Sequence, residues 1–232
     1  MPTDIPKTLK PKKAMSTKTS IKIAIISLIL GVVIFTLAYI DMRQKTGLGT
    51  LNQPILMWMV DHRNPLVIDV AKVITTIAGP LVFIIITTII VSIWILIKRE
   101  IWRPCLLAGS MGLAVTTSTI LKTVIMDSRP SQIFMIPTFE VDYSFPSGHT
   151  IGMIVFLLVM GYLIYSRNYS PKRFWIWTII AVIGAGIIAA SRLYLGYHWL
   201  TDVVASIGLG FIILAIIIVI DKLATRRFKQ LK

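Results

Sequence analysis

The sequence predicts an all-α polytopic membrane protein with six transmembrane helices and both termini on the cytoplasmic side. Hydrophobic residues fill 56% of the 232 positions and the mean hydropathy is +0.81, which is rare for a soluble domain. Six apolar runs are long enough to cross a hydrocarbon core of ~30 Å at ~1.5 Å per residue. These runs cover residues 23–40, 73–97, 105–121, 148–165, 174–190 and 203–220.

The distribution of charge predicts how the spans are oriented. An even number of spans puts both termini on one side, and that side carries 17 of the 24 Lys and Arg residues against three acidic residues. The opposite side has seven basic and seven acidic residues. Because cytoplasmic loops carry the excess of Lys and Arg, the terminal side is expected to be cytoplasmic. The net charge of +14 then reflects topology or contact with anionic lipid, and nucleic acid is not expected as a partner.

The ends of the chain are expected to lie outside the helical domain. Residues 1–21 predict a disordered basic tail, residues 22–222 the six-helix domain and residues 223–232 a second basic tail. The first apolar run is either a signal peptide or a membrane anchor. Its 18 residues and the lack of a small-residue cleavage site at Tyr39-Ile40-Asp41 favour an uncleaved signal anchor. Cys105, the only cysteine, excludes an intramolecular disulfide and is expected to pack as a small hydrophobe.

Two external segments carry further signals. Residues 51–60 are apolar but short, with Pro54 in an early helical turn, which predicts a helix lying at the membrane interface. Asp69 and Lys72 are three residues apart and are expected to pair on one helix face. The loop 123–147 is the longest irregular stretch between spans, and such loops are often functional. It is interpreted as a lid over a lipid head group or as a plain connector.

Several glycines predict local helix geometry. Gly79-Pro80 falls within the second apolar run, where a kink is expected. The patterns Gly148-x3-Gly152 and Gly184-x-Gly186 place small residues on helices, which favours close packing of neighbouring helices.

Three polar motifs lie in the second half of the chain, each at the end of an apolar run. They are Lys122-x6-Arg129-Pro130, Pro146-Ser147-Gly148-His149 and Ser191-Arg192-x5-His198-x3-Asp202. On the predicted topology the first follows span three, the second begins span four, and the third joins spans five and six. All three therefore lie on the external side and are expected to form one site.

The third motif contains a histidine and a carboxylate that can work together. His198 and Asp202 are four residues apart, so they share one face of a helix. The carboxylate can accept one imidazole N–H, fix the tautomer and leave the other nitrogen free to attack phosphorus. As an isolated pattern, His-x3-Asp is more often an ordinary surface pair, so the interpretation depends on the other two motifs.

The second motif predicts the start of a helix. Ser147 is a favourable N-cap residue, and the first N–H groups of the helix, with its dipole, favour an anion. Gly148 permits close approach of a phosphate to the backbone. Taken alone, Ser147-Gly148 is more typical of a simple cap, and His149 could mark the water interface.

Lys122, Arg129 and Arg192 supply three cations near membrane depth, where charged residues are costly and usually functional. Guanidinium and ammonium groups bind phosphate oxygens and stabilise the charge of a transferring phosphoryl group. The alternative is that the arginines form ion pairs with acidic residues of the external loop, namely Asp127, Glu140 or Asp142. The third histidine of the chain, His62, has no motif around it and is interpreted as an ordinary interface residue.

Together the three motifs resemble those of the type-2 phosphatidic acid phosphatase superfamily of membrane lipid phosphatases. All three match without substitution or change of spacing, over about residues 122–202. The resemblance implies that His198 is the nucleophile that forms a phosphohistidine and that Asp202 orients it. It implies that His149 is the general acid and later the general base. The implied phosphate cradle consists of Lys122, Arg129, Ser147, Gly148 and Arg192.

The resemblance also implies that no metal ion or other cofactor is required, and the predicted site lacks a carboxylate or histidine cluster typical of Mg²⁺ or Zn²⁺. Soluble vanadium haloperoxidases share the constellation, but the six spans argue against that branch. The small size and compact loops resemble bacterial phosphatidylglycerophosphatase B and undecaprenyl-diphosphate phosphatase relatives.

The expected function is hydrolysis of a lipid phosphate or diphosphate at the outer leaflet, with the membrane lipid as the partner. Undecaprenyl diphosphate, phosphatidylglycerol phosphate and phosphatidate are candidate substrates, and the first is preferred because its product must form on the outer side for carrier return. A lipid-linked phosphotransferase using the same phosphohistidine is the main alternative. A non-enzymatic lipid-binding or transport protein is another. A serine hydrolase is not supported, because no Gly-x-Ser-x-Gly motif exists, and the sequence does not indicate the oligomeric state.

Overall fold

The computed structural model of the chain describes residues 14–138, 140–167 and 170–230, the last four through their backbone only, and in these residues it has α-helices and no β-strand. The helices are α1 (Thr17–Gln44), α2 (Asn52–Asp61), α3 (Pro65–Ile77), α4 (Pro80–Lys98), α5 (Trp102–Ile125), α6 (Gly148–Tyr165), α7 (Pro171–Tyr194) and α8 (Leu200–Gln230). Short 3₁₀ turns cover Gly47–Leu51 and Gln132–Phe134. The prediction of an all-α chain is confirmed.

Six of these helices are long and apolar enough to cross a membrane, namely α1, α4, α5, α6, α7 and the part of α8 at Leu200–Arg226. The six predicted runs are therefore confirmed as helices, most of them longer than the runs. The second run differs, because residues 73–77 belong to α3. Gly79 precedes α4 and Pro80 is its first residue. The predicted kink within one helix is wrong: proline lacks an amide hydrogen and fits the first turn, so a new helix starts there.

The helices α6 and α8 form the centre of the bundle. Within their apolar windows 61% of the residues are buried, against 11% in α4 and α7. α6 packs against α5, α7 and α8, and α8 packs along α1. The crossing of α1 and α8 depends on two glycines: a Cβ on Gly31 would lie 2.6 Å from the carbonyl oxygen of Gly208. The backbones approach this closely because neither residue has a side chain.

The segments predicted to be external contain the expected helix and ion pair. The predicted interfacial helix is α2, and it contains Pro54 in its first turn. Asp69 and Lys72 lie on α3 and pair at 4.0 Å. α3 packs against α7, which brings it next to the third motif.

Three other predictions are wrong or partly so. The N-terminal tail was expected to be disordered up to residue 21, but α1 begins at Thr17. Ser16 caps this helix, because its Oγ atom accepts a hydrogen bond from Thr19 N at 3.0 Å. Residues 1–13 lie outside the described residues. Cys105 is exposed and is not packed among other side chains. A Cβ on Gly186 would meet no atom within 4 Å, so this glycine does not mediate close helix packing.

The end of the bundle opposite the three motifs holds a polar network that the sequence did not indicate. Asp221 of α8 is buried and accepts hydrogen bonds from Trp102 Nε1 at 3.0 Å and from Tyr162 Oη at 2.6 Å. Arg103 of α5, also buried, donates to Ser166 Oγ at 2.6 Å. Residues that appear in the sequence as flanking charges thus fasten α5, α6 and α8 together at this end.

Candidate active site

The three motifs meet at one end of the bundle, where four helices begin or end. Lys122 lies in the last turn of α5 and Arg192 in the last turn of α7. Ser147 immediately precedes α6, and Asp202 lies in the first turn of α8. Because α5 and α7 end where α6 and α8 begin, the side chains of all three motifs face one polar space.

His198 and Asp202 form a buried pair at the base of this space. His198 Nδ1 lies 3.0 Å from Asp202 Oδ2, and their side chains are 1% and 0% exposed. The same carboxylate oxygen accepts hydrogen bonds from the backbone N–H of Trp199 at 2.9 Å and from the Ser144 hydroxyl. These donors fix the carboxylate, so His198 is held with Nδ1–H as the donor.

The other ring nitrogen of His198 faces the cations. Nε2 lies 3.3 Å from Nη1 of Arg129. Burial lowers the pKa of His198 well below its usual value of 6.5, and the charges of Arg192 and Arg129 lower it further. The ring is therefore neutral near pH 7, with a lone pair on Nε2 beside a guanidinium group.

Arg129 is anchored by the backbone on both sides of the site. Nη1 donates to the carbonyl oxygen of Tyr197 at 2.6 Å and Nε donates to the carbonyl oxygen of Asp142 at 2.7 Å. Its Nη2 group pairs with Glu140 Oε2 at 2.7 Å and with Asp142 Oδ1. The guanidinium is thus fixed next to His198 Nε2.

Arg192 is almost completely buried, with a side chain that is 1% exposed. Its Nη1 group donates to Thr75 Oγ1 at 2.7 Å, and its Nη2 group pairs with Glu140 Oε1. The guanidinium also lies over the ring of Tyr197, 4.6 Å from the ring centre. Contacts from α3, the loop and the α7–α8 turn therefore hold Arg192 in place.

Lys122 completes the set of cations. Its Nζ atom donates to Asp142 Oδ2 and to the carbonyl oxygen of Tyr143, both at 2.6 Å. Glu140 and Asp142 were two of the three acidic residues considered as partners for the arginines. Asp127, the third, makes no ion pair with either arginine within the described residues.

Two carboxylates of the loop thus occupy the space between the three cations. Burial would raise the pKa of Glu140, but Arg192 and Arg129 outweigh this effect and hold the pKa below its usual value. Asp142 behaves in the same way, with burial opposed by Lys122 and Arg129. Both groups are therefore anionic near pH 7. Their oxygens bridge the cations much as phosphate oxygens would, so the geometry of the cradle suits a tetrahedral anion.

His149 lies in the first turn of α6, on the side of the site that faces α4. A Cβ added to Gly79 would be 3.7 Å from His149 Nε2. The ring interacts electrostatically with Arg192, Glu140 and His198. It forms no hydrogen bond with any other described residue, which leaves both ring nitrogens able to bond a ligand.

Ser147 occupies the predicted N-cap position of α6, but its side chain makes no capping hydrogen bond. Its Oγ atom instead accepts from Thr150 Oγ1 at 2.9 Å, and its N–H donates to Ser206 Oγ at 3.0 Å. The predicted role of Ser147 as a side-chain cap is therefore wrong. A Cβ on Gly148 would make only an ordinary contact, 3.5 Å from Ser118 Oγ, so packing within the protein does not require glycine there.

Two residues at the site carried no signal in the sequence. Ser144 bonds Asp202, and Thr75 bonds Arg192 from α3. Neither belongs to a motif, and Thr75 is 117 residues from its partner. Among the described residues, no three or more His, Cys, Asp or Glu side chains are grouped so that they could hold a metal ion.

Comparison of the sequence with known proteins identifies a family. Residues 103–226 match the model of the PAP2 superfamily. The chain is 28% identical to phosphatidylglycerophosphatase B of Bacillus subtilis over 72% of this chain and 81% of that protein. It is 32% identical to an undecaprenyl-diphosphatase of Sulfolobus acidocaldarius, over 52% of this chain and 56% of that protein.

The fold is also similar to a solved structure. The crystal structure of a transmembrane PAP2-type phosphatidylglycerolphosphate phosphatase from Bacillus subtilis superposes with a TM-score of 0.75. The two chains are 23% identical, and the similarity covers 84% of this chain and 96% of the other. The family model covers residues 103–226, which is more than half of the chain and includes all three motifs. On this basis, the chain belongs to the PAP2 superfamily.

Proposed function

We propose that this protein is a membrane phosphatase that removes phosphate from a lipid phosphate or diphosphate at the outer leaflet, through a phosphohistidine on His198 and without a metal ion. The observation that carries the proposal is the position of His198. Its neutral ring is oriented by Asp202, and Nε2 lies 3.3 Å from Arg129 within a set of three cations. Relatives in the family are named as phosphatases of lipid phosphates and diphosphates.

In the first step, His198 Nε2 attacks phosphorus and the bond from phosphorus to the leaving oxygen breaks. Lys122, Arg129 and Arg192 stabilise the charge on the remaining phosphoryl oxygens. His149 in its protonated form donates a proton to the leaving oxygen. Asp202 stabilises the positive charge that develops on the ring of His198.

In the second step, water attacks the phosphohistidine. His149, now neutral, accepts the proton of the water. The bond between phosphorus and Nε2 breaks, inorganic phosphate leaves, and the neutral ring of His198 is restored. The three cations supply the positive charge that Mg²⁺ supplies in many phosphoryl-transfer enzymes, which is why metal independence is part of the proposal.

The substrate must displace the carboxylates of Glu140 and Asp142 from the cations. This exchange replaces one anion by another, so it does not leave a buried cation without a partner. The loop between α5 and α6 carries both carboxylates, and its movement away from the site is the expected response to a bound phosphate.

The test is phosphate release by the purified protein in detergent with excess EDTA. Undecaprenyl diphosphate, phosphatidylglycerol phosphate and phosphatidate are compared as substrates. Wild type is expected to release phosphate from at least one of them, and His198→Asn is expected to lose this activity, because amide nitrogen is not a nucleophile. His62→Asn is the matched control, since the exposed ring of His62 stacks on Trp58 and forms a hydrogen bond with the carbonyl oxygen of Trp58.

Three results would contradict the proposal. Release that survives in His198→Asn would remove the assigned nucleophile. Release that EDTA abolishes would show a metal requirement. Transfer to an acceptor lipid, with no release when the acceptor is omitted, would identify a phosphotransferase.

A further inference from the structure

An apolar cavity of about 580 Å³ lies between α1, α6, α7 and α8. α7 packs chiefly on α3 and α6, whereas α8 packs on α1 and α6. The cavity is the resulting cleft between α7 and α8, with α6 as its floor. Val182 of α7 lines it and is 67% exposed, so the cleft opens sideways, towards the hydrocarbon of the bilayer.

One end of the cleft lies directly beneath the phosphate site. Thr150, Ala189 and Ile207 line this end on α6, α7 and α8. Thr150 follows His149 and bonds to Ser147 at 2.9 Å. Ala189 is one helical turn from Arg192, and Ile207 is little more than one turn from Asp202. This end of the cleft therefore lies about one helical turn from residues of the candidate site.

The other end reaches Tyr165 on α6 and Phe174 on α7. The 15 residues from Thr150 to Tyr165 extend about 22 Å at 1.5 Å per residue. One leaflet is half of a hydrocarbon core of about 30 Å, or about 15 Å. The cleft therefore continues beyond the midplane into the other leaflet.

The lining of the cleft offers a ligand almost only hydrocarbon. Its polar side chains bond within the protein: Trp177 Nε1 donates to Leu157 O at 3.0 Å, Thr178 Oγ1 to Phe174 O at 3.0 Å, and Tyr165 Oη to Arg173 O at 2.6 Å. A head group or a polar peptide would find few partners here, whereas an alkyl or isoprenoid chain would lose no hydrogen bond on binding.

We infer that this cleft binds the hydrocarbon tail of the substrate and that the tail is a single polyprenyl chain longer than one leaflet. The inference rests on the proposed phosphatase function. The acyl chains of a glycerophospholipid anchored at the outer interface end near the midplane and leave the deeper half of the cleft empty. A long polyprenyl chain attached to a diphosphate in the site fills the cleft along its whole length.

A bulky residue at mid-depth tests this inference. Ala181 of α7 lines the cleft, eight residues or about 12 Å below Ala189. Ile183 lies on the opposite face of α7, is 56% exposed and provides the matched control. Release of phosphate from undecaprenyl diphosphate, geranyl diphosphate and phosphatidate is measured for wild type, Ala181→Phe and Ile183→Phe.

Ala181→Phe is expected to lower kcat/KM for undecaprenyl diphosphate about tenfold, which corresponds to the loss of about two buried methylene groups. The same variant retains wild-type kcat/KM for geranyl diphosphate, whose short tail does not reach residue 181. Ile183→Phe leaves both values unchanged. Phe211→Ala, on the α8 wall, gives the same selective loss by removing contacts, which keeps the test informative if Ala181→Phe does not fold.

An equal effect of both cleft variants on the two diphosphates would overturn the inference. An equally large loss with phosphatidate would identify an acyl chain as the occupant, and a change of oligomeric state in both variants would identify a second copy of the chain. Wild type that releases phosphate from phosphatidate but from neither diphosphate would also overturn the inference. Wild type that is inactive on every lipid phosphate and diphosphate would instead contradict the proposed function.

Discussion

At the scale of single residues, the orientation of His198 depends on one oxygen of Asp202. That oxygen accepts from His198 Nδ1 at 3.0 Å, from Trp199 N at 2.9 Å and from the hydroxyl of Ser144. Ser144 is completely buried and lies 3.4 Å from His198 Nδ1. Because its hydroxyl donates to the carboxylate, Ser144 is a positioning residue for the pair and does not contact the reacting atoms.

Ser144→Ala is expected to lower kcat about tenfold or more, because a hydrogen bond to a charged group contributes roughly 1.5–3 kcal/mol. KM should change little, since the cations proposed to bind phosphate are untouched. Steady-state kinetics of phosphate release measure both quantities. Ser131→Ala, at an exposed serine of the same loop, is the control, and a purely structural role of Ser144 would instead lower thermal stability with kcat per folded molecule unchanged.

The pH dependence of phosphohistidine formation should reflect the lowered pKa of His198. A histidine must be neutral to attack phosphorus, and burial together with Arg192 and Arg129 places this pKa well below 6.5. As the pH falls through 6.5, His198 therefore stays unprotonated, and the rate declines only near the lower pKa of the folded protein. At a pH between 6.5 and the lower pKa of the folded protein, His198 is protonated in the unfolded chain but not in the folded chain. The free energy of unfolding therefore also falls as the pH decreases through this range.

Rapid-quench measurement of phosphoenzyme from labelled substrate between about pH 5 and 8 tests this expectation. The ionisation of the substrate is followed separately by its phosphorus chemical shift, and the rates are corrected for it. A remaining acid limb at or above pH 6.5 would mean that His198 titrates as an ordinary histidine, contrary to its buried position.

At the scale of elements, the loop between α5 and α6 supplies the carboxylates that pair with the three cations. Glu140 bridges Arg129 and Arg192, and Asp142 bridges Arg129 and Lys122. On the proposed function, an incoming phosphate competes with these carboxylates. The loop would then act on binding through charge, in addition to any effect of its position over the site.

Glu140→Gln removes one competing charge while preserving the size of the side chain. We expect the variant to bind orthovanadate, a phosphate analogue, about tenfold more tightly, which corresponds to about 1.4 kcal/mol. Inhibition of phosphate release gives the constant. Asp69→Asn, at an exposed carboxylate on α3, controls for the general change of charge, and unchanged or weaker vanadate binding by Glu140→Gln would show that Glu140 does not compete with the anion.

The sequence predicted elements well where one local signal dominates. The bounds of α6 agree with the predicted run 148–165, because the polar Ser147 and Arg167 flank a continuous apolar stretch. The break between α3 and α4 was missed, because hydropathy stays high across Gly79-Pro80 and does not report helix direction. The open space at Gly186 was missed for a related reason: a small residue permits close packing but does not require a neighbour.

The site was predictable to the extent that its residues lie in motifs of fixed spacing. Spacing and topology together placed Lys122, Arg129, His149, Arg192 and His198 at one end of the bundle. Which acidic residues meet the cations depends on the path of the loop, and the sequence could not choose Glu140 and Asp142 over Asp127. Thr75 was missed because its contact with Arg192 arises only from the packing of α3 on α7.

At the scale of the whole molecule, the two ends of the bundle have different polar clusters. One end holds the three cations, the two loop carboxylates and the pair of His198 and Asp202. The other end holds the buried network around Asp221 and Arg103 and most of the exposed basic residues. Since 17 of the 24 Lys and Arg residues belong to the terminal side, the positive-inside rule predicts that this side faces the cytoplasm.

Labelling of introduced cysteines tests this orientation. Cys105, the only native cysteine, is exposed and is first replaced by alanine. Ile133→Cys then places a thiol on the loop above the site, where residue 133 is 82% exposed. Thr225→Cys places a thiol at an exposed position at the far end of α8.

A maleimide that does not cross membranes is expected to label Ile133→Cys in intact cells and Thr225→Cys only after permeabilisation. Both variants must retain phosphate release, which shows that neither change alters the fold. The reverse pattern would place the site on the cytoplasmic side, so that the phosphatase would act on lipids of the inner leaflet. The expected pattern puts His198 outside and the basic termini inside, so the released phosphate would leave on the external side while the dephosphorylated lipid stays in the outer leaflet.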